Sequence, residues 1–284
     1  MLATSDAGLT RRPRIDPTGR FGASSSGPQM SVMGRQYQFA AGESGRSAAS
    51  TLDVSVDGRT ARTLTLQPSP ADPFLSTQTI LRVLGRLSSV NVRKVMWTAA
   101  VMGLPVQRED WGAGHRSTRE PNFLRLNPSA LVPVLVDDQT VLWESNTICR
   151  YLAAREADTQ LLPTAPRDRA LVEQWMDWQA TELNEAWRTA FLALHRGVPT
   201  PAAMVQESAS RWNQKMRILD EQLTRTGAHV LGEQFTLADV VLGLSSHRWK
   251  ATPIEHLDLP AVAAYLLRLK TQPGFAEFVD NGMP

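Results

Sequence analysis

Residues 131–152 read LVPVLVDDQTVLWESNTICRYL, and the change of period inside that stretch decides the fold. Its first half, VPVLVDDQTVLW, holds two β-rich runs around Asp137–Asp138–Gln139, a hairpin signal. From Ser145 the apolar residues return as Ile148, Tyr151 and Leu152, at helical spacing. Upstream, TILRVLGR at 79–86 has the apolar density of a buried strand, and Val92, Val95, Met96 and Ala99 mark a helix closed by Gly103. PVQRED at 105–110 is a second strand, followed by the loop WGAGHRSTREP at 111–121. The order is β-α-β-(loop or helix)-β-β-α. Downstream of LLPTAPRD at 161–168 the β signal disappears: Leu171, Trp175, Trp178, Leu183, Trp187, Phe191 and Leu194 recur at near-helical spacing. Further helical patterns cover about 201–225, 237–249 and 260–271, with PTAPR at 163–167 as the linker.

Composition narrows the function classes. With 30 basic and 28 acidic residues the net charge is +2, which argues against an extended nucleic-acid or anionic-membrane surface. The single cysteine, Cys149, excludes an internal disulfide, a CxxC redox pair and a multi-cysteine zinc site. Histidines 115, 195, 229, 247 and 256 have no metal-ligand spacing, so no metal is expected. No apolar run reaches the length of about 18 residues that spans a membrane. The start, MLATSDAGLTRRPRI, has no apolar stretch after its charges, so the expectation is a soluble cytoplasmic protein. Residues 1–77, with blocks such as GASSSG and SGRSAAS, read as a mostly disordered extension or an overlong start, with Met30 and Met33 as later starts. Within them, TLDVSVDGRTARTLTLQ at 51–67 alternates about a DG turn, as a short hairpin does.

Three local motifs carry a resemblance. LVPVL at 131–135, WESNTICRYL at 143–152 and GEQFTLADVVLG at 232–243 are similar to segments of the cytosolic glutathione transferases, over about residues 79–283. The resemblance implies the glutathione transferase fold: an α/β thioredoxin-like N-terminal domain (78–160) plus an all-α C-terminal domain (168–284). It implies a cis bond before Pro133, with the backbone of Val132 pairing the cysteinyl residue of glutathione as a strand edge pairs a peptide. It assigns Glu144 to the amine of the γ-glutamyl group, and the helix N-terminus at Ser145 to its carboxylate. From the residues alone, Ser145 is an N-cap whose hydroxyl accepts from first-turn amides. Thr236 and Asp239, three apart, form a capping box that supports the fold and carries no chemistry. His115 and Arg116 are the candidates for the glycyl carboxylate, in keeping with the basic or aromatic group that relatives often place there.

The thiol-activating group of such enzymes stands at the turn into the first helix, here GRLSSVNVRKVMW at 85–97. Setting Arg93 against the serine-type delta and theta classes, or Lys94 against the bacterial Nu class, puts the catalytic hydroxyl at Ser89 both times. The second alignment adds Asn91. A hydrogen bond to a charged group contributes roughly 1.5–3 kcal/mol net, so one hydroxyl donor lowers a thiol pKa from about 8.5 to about 6.5–7.5. A helix starting near Val90 acts in the same direction. Ser88 is the weaker candidate, on the other side of the strand end. Val90 stands where zeta-class isomerases carry cysteine, and Ser129–Ala130 where many relatives have Asn-Gly. Trp175, Trp178 and Trp187 read as core packing before pocket lining, and Cys149 as core.

The resemblance therefore implies a glutathione transferase, with glutathione as co-substrate, a small electrophilic partner and assembly as a homodimer. Two alternatives share the fold: a Nu-type glutathione-dependent disulfide oxidoreductase, slightly favoured by Asn91, and a non-catalytic binding module. Joint retention of Ser89, Val132, Pro133, Glu144 and Ser145 speaks against the module.

Overall fold

The computed structural model describes residues 80–158 and 160–284, together with the backbone of four strands between residues 29 and 66. The chain divides into two units, Met1–Thr77 and Gln78–Pro284. In the first, β1 (Gln29–Val32), β2 (Arg35–Ala41), β3 (Ser50–Val56) and β4 (Arg59–Leu66) form an antiparallel sheet in that order. β3 and β4 occupy the alternating segment for which a hairpin was expected. β1 and β2 lie in the stretch whose composition reads as mostly disordered.

The second unit opens with β5 (Leu81–Leu84), in which Leu81, Val83 and Leu84 are buried and Arg82 is exposed. It is followed by α1 (Val90–Val101), β6 (Val106–Glu109), α2 (Pro121–Leu126), β7 (Val134–Asp137), β8 (Thr140–Trp143) and α3 (Ser145–Arg155). The sheet order is β6-β5-β7-β8; β5 and β6 are parallel and the other pairs antiparallel. The hairpin turns at Asp138, whose φ of 52° is the left-handed geometry that aspartate tolerates in tight turns. Helix α1 is buried from Val92 to Ala99, Arg93 and Lys94 included, because other helices cover the side that faces away from the sheet.

The remainder is helical: α4 (Pro166–Trp178), a π-helical turn (Gln179–Leu183), α5 (Asn184–Arg196), α6 (Ala202–Thr226), α7 (Leu237–Ala251), α8 (Pro260–Leu269) and α9 (Phe275–Phe278). Helix α4 begins inside the expected linker: Pro166 takes the first helical turn, where its missing N–H costs nothing. The helical half thus starts at Pro166 rather than at residue 168. Helix α7 is buried almost throughout, and its capping box forms as the Thr-x-x-Asp spacing predicts. The Trp97 ring of α1 meets Phe235 and Phe275 edge-on at 5.7 and 5.8 Å, so one core joins the sheet half to the helical half.

Candidate functional site

The sheet register brings three separate motifs to one end of the fold. Leu84 at the end of β5 pairs with Val134 at the start of β7, and Val134 pairs with Trp143 at the end of β8. The residues just beyond these ends, Ser89, Val132 and Glu144, therefore emerge together. Gly85, at φ 154°, makes the approach close: a Cβ there would lie 2.4 Å from Val92 Cγ2 and 3.0 Å from Val132 Cβ.

Helices α1 and α3 run parallel. Lys94 of α1 meets Asn146 of α3, and one turn on, Thr98 donates to Cys149 Sγ at 3.2 Å. Both N-termini consequently point the same way, so two sets of free first-turn amides and two positive dipole ends converge beside Val132. Helix N-termini so arranged can donate hydrogen bonds to an anionic group.

Ser89 is the N-cap residue of α1 by backbone geometry (φ −90°, ψ 120°), yet its side chain makes no cap hydrogen bond. Its carbonyl accepts from the Arg93 amide at 3.0 Å, which starts the helix without using the hydroxyl. Ser88 is engaged: Arg86 Nη1 donates to its Oγ at 3.0 Å, and Arg196 Nη2 to its carbonyl at 3.1 Å. Arg93 is itself committed, donating to the carbonyls of Met283 and Pro284 at 2.7 Å each. Burial first, and the nearby Arg196 charge second, push the Arg93 pKa down to about 10.

The Val132–Pro133 peptide bond is cis. Among the described residues, neither the amide nor the carbonyl of Val132 has a hydrogen-bond partner. The loop before it is held by Asn127, whose Nδ2 donates to the Leu131 carbonyl at 2.8 Å and whose Oδ1 accepts from the Ser129 amide at 3.0 Å. Ala130 is left-handed there, at φ 56°, the conformation that glycine adopts without penalty. Ala130→Gly is expected to stabilise the protein by up to about 1 kcal/mol, because relief of left-handed strain of about 1–2 kcal/mol exceeds the extra backbone entropy of glycine. A denaturant midpoint below that of the wild type would contradict this.

The Glu144–Ser145 pair departs from expectation. Glu144, not Ser145, is the N-cap position, and its side chain makes no cap hydrogen bond; Ser145 is the first residue of α3. Glu144 adopts φ 71°, ψ 110°, a conformation unusual for a residue with a Cβ, which turns the chain sharply out of β8. The buried Ser145 thereby presents its own amide, not a capped one, at the helix end.

His115 and Arg116 lie in the loop after β6, at the same end of the sheet. The loop is tied to the Ser89 turn, since the Trp111 carbonyl accepts from the Arg86 amide at 3.1 Å. Arg116 stacks 3.8 Å above the Trp111 ring and pairs with Glu120 at 3.2 Å. His115 is exposed and 3.8 Å from Asp110, so it is the less committed of the two.

A cavity of about 350 Å³ adjoins the start of α1, lined by Val90, Asn91, Ala180, Thr181, Asn184, Glu185, Trp187 and Arg188. Asn91 thus faces the helical half, and Trp187, which packs against the core as expected, also lines this cavity. Thr181, Asn184 and Arg188 were not anticipated; the π-helical turn brings them there. A larger hollow of about 910 Å³, between the end of α5, α6 and residues 253–257, contains none of the motif residues. Cys149 is buried, and burial pushes its thiol up to about 11, so it stays protonated. Among the described residues, no three His, Cys, Asp or Glu side chains gather as metal ligands would, and no helix is long and apolar enough to cross a membrane.

A four-stranded mixed sheet with a cis-proline before its third strand, backed by a helical half, is the thioredoxin-like plus all-α architecture. The family model described as "Glutathione S-transferase, N-terminal domain" matches residues 88–155. The chain is 34% identical over 162 residues to "Glutathione S-transferase GstB" of Escherichia coli, spanning 56% of this chain and 77% of that one. Elongation factor 1-gamma 2 of Oryza sativa is 29% identical over 169 residues, covering 58% of this chain and 40% of the factor. Among solved structures, the theta class glutathione S-transferase of Xanthomonas axonopodis with glutathione bound aligns with TM-score 0.67 and 32% identity, covering 71% of this chain and 97% of that one. The chain belongs to the glutathione S-transferase family.

Proposed function

We propose that the protein is a glutathione transferase in which Ser89 holds the thiolate. The supporting observation is the convergence of two parallel helix N-termini on the unpaired backbone of Val132, with the uncapped hydroxyl of Ser89 beside it. The cysteinyl residue of glutathione pairs with Val132 next to Pro133. Its γ-glutamyl carboxylate lies on the amide and hydroxyl of Ser145, and its amine on Glu144. His115 or Arg116 receives the glycyl carboxylate. The thiol loses its proton to solvent, and the Ser89 O–H donates to the resulting sulfur anion, with Asn91 as a second donor. The thiolate then attacks the electrophile: a carbon–sulfur bond forms and the leaving group departs with the electron pair of its broken bond.

The cavity beside Asn91 receives the electrophile. Its polar lining of Thr181, Asn184, Glu185 and Arg188 also suits a second reading, in which the partner is a glutathione disulfide and the step is thiol–disulfide exchange. Assembly is as a homodimer; exposed Val141 and Trp143 on the edge strand β8, and Leu171 on α4, support it. The test is turnover of a chloronitrobenzene and of a glutathione mixed disulfide after retention on immobilised glutathione. Chloronitrobenzene turnover is expected, disulfide turnover alone would establish the second reading, and retention with neither would reduce the protein to a binding module.

A further inference from the structure

Lys94 is a lysine where a leucine would pack. It is 1% exposed, in the middle of α1, and among the described residues no carboxylate stands within ion-pair distance of it. Its Nζ donates instead to two amide oxygens: Asn146 Oδ1 at 3.2 Å and Gln179 Oε1 at 2.5 Å. Both amides are oriented by their other ends. Asn146 Nδ2 donates to the Met176 carbonyl at 2.8 Å, and Gln179 Nε2 to Asn184 Oδ1 and Ser245 Oγ at 3.0 Å each. Gln179 opens the π-helical turn, the register slip that lets its side chain reach inward. One ammonium thus ties together α1, α3, the α4–α5 junction and α7.

Burying an ammonium costs several kcal/mol unless something compensates, and two neutral oxygens compensate only in part. Packing alone would be served at lower cost by methionine. The position of Lys94 gives the charge a use. It lies on the second turn of α1 and binds the residue after Ser145, directly behind the two helix ends that converge on Val132.

We propose that Lys94 is a positioning residue for the glutathione pocket, locking the first turns of α1 and α3 in register and placing a buried positive charge behind the bound anion. The proposal rests on the pocket being a glutathione site. Three groups act on Lys94 from the elements around it: Cys149 from α3, Arg248 from α7 and Glu144 at the entry to α3. Burial is the main influence and Arg248 adds to it, while Cys149 and Glu144 oppose them, leaving the ammonium pushed down to about 8. The charge is therefore present at neutral pH and lost as the pH rises through that value. Cys149 opposes burial only once it ionises, above this range, so among the described residues the exposed Glu144 is the one carboxylate that acts on Lys94 here. A ligand anion bound at the helix ends favours the charged form of Lys94, and by linkage Lys94 favours the ligand.

The probe is S-methylglutathione, which has no titrating thiol. Lys94→Gln keeps an N–H donor for the two oxygens and removes the charge. It is expected to bind the probe about fivefold or more weakly at pH 7, consistent with loss of a buried charge near the ligand, and to lose the part of the wild-type weakening that sets in above pH 8. Equal affinity of variant and wild type at pH 7, with the same pH profile, would overturn the proposal while leaving the pocket intact. If the wild type itself fails to bind the probe, the glutathione reading falls, and this inference with it. A measurement on the wild type alone guards against a misfolded variant. The chain has four lysines, so carbon-13 lysine NMR resolves Lys94. Its titration midpoint is expected to move upward on saturation with the probe; a midpoint that does not move would overturn the proposal.

Discussion

Ser89→Ala is expected to lower kcat/KM for glutathione with chloronitrobenzene about tenfold at pH 7, while the Kd for S-methylglutathione stays within about twofold. The hydroxyl makes no cap bond, so its loss leaves the start of α1 intact, held by the Ser89 carbonyl and the Arg93 amide. What goes is one donor to a sulfur anion, a contribution of roughly 1.5–3 kcal/mol, or about one to two pKa units at the thiol. At pH 7 a thiol that was about half ionised becomes a few per cent ionised; the greater nucleophilicity of the less acidic thiolate recovers part of the rate. Ser88→Ala, by contrast, removes an acceptor from Arg86 and should leave the rate within about twofold. Equal losses from the two variants would place the activating group elsewhere.

Asp239→Ala is expected to be the most destabilising of the substitutions considered, by about 3–5 kcal/mol, because it removes a cap worth about 1 kcal/mol and strands several buried donors at about 1–3 kcal/mol each. The carboxyl is wholly buried and accepts from the Val230 amide at 2.9 Å, the Thr236 amide at 2.8 Å and Tyr265 Oη at 3.1 Å. The α7 start that it caps also holds the chain after α3, through the Leu237 amide and the Leu161 carbonyl at 3.0 Å. Denaturant unfolding of the variant checks this. A loss under about 1 kcal/mol would mean that water or a neighbouring group satisfies those donors.

Much of this architecture was legible because each element carries its own local signal. The Asp137–Asp138–Gln139 turn between β-rich runs, the Gly103 helix stop and the Thr236–Asp239 box are decided within a few residues. Ser145 was misplaced by one position for the same reason. A serine before an apolar run reads as an N-cap, and nothing local announces that Glu144 takes the left-handed turn and the N-cap position in its stead. Lys94 was legible only as a point of alignment. Periodicity assigns a lysine to the solvent side, and α1 has no solvent side once α3 and α7 cover it. The cavity lining at Thr181, Asn184 and Arg188 depends on a one-residue π insertion, which leaves no mark on a pattern of period 3.6.

The pocket as a whole is tested most directly by following the thiolate absorbance of glutathione bound to the wild-type protein as a function of pH. The account predicts a saturable signal with a midpoint at about 6.5–7.5, well under the free thiol value of about 8.5. A midpoint at or above the free value, or no saturable signal, would contradict it.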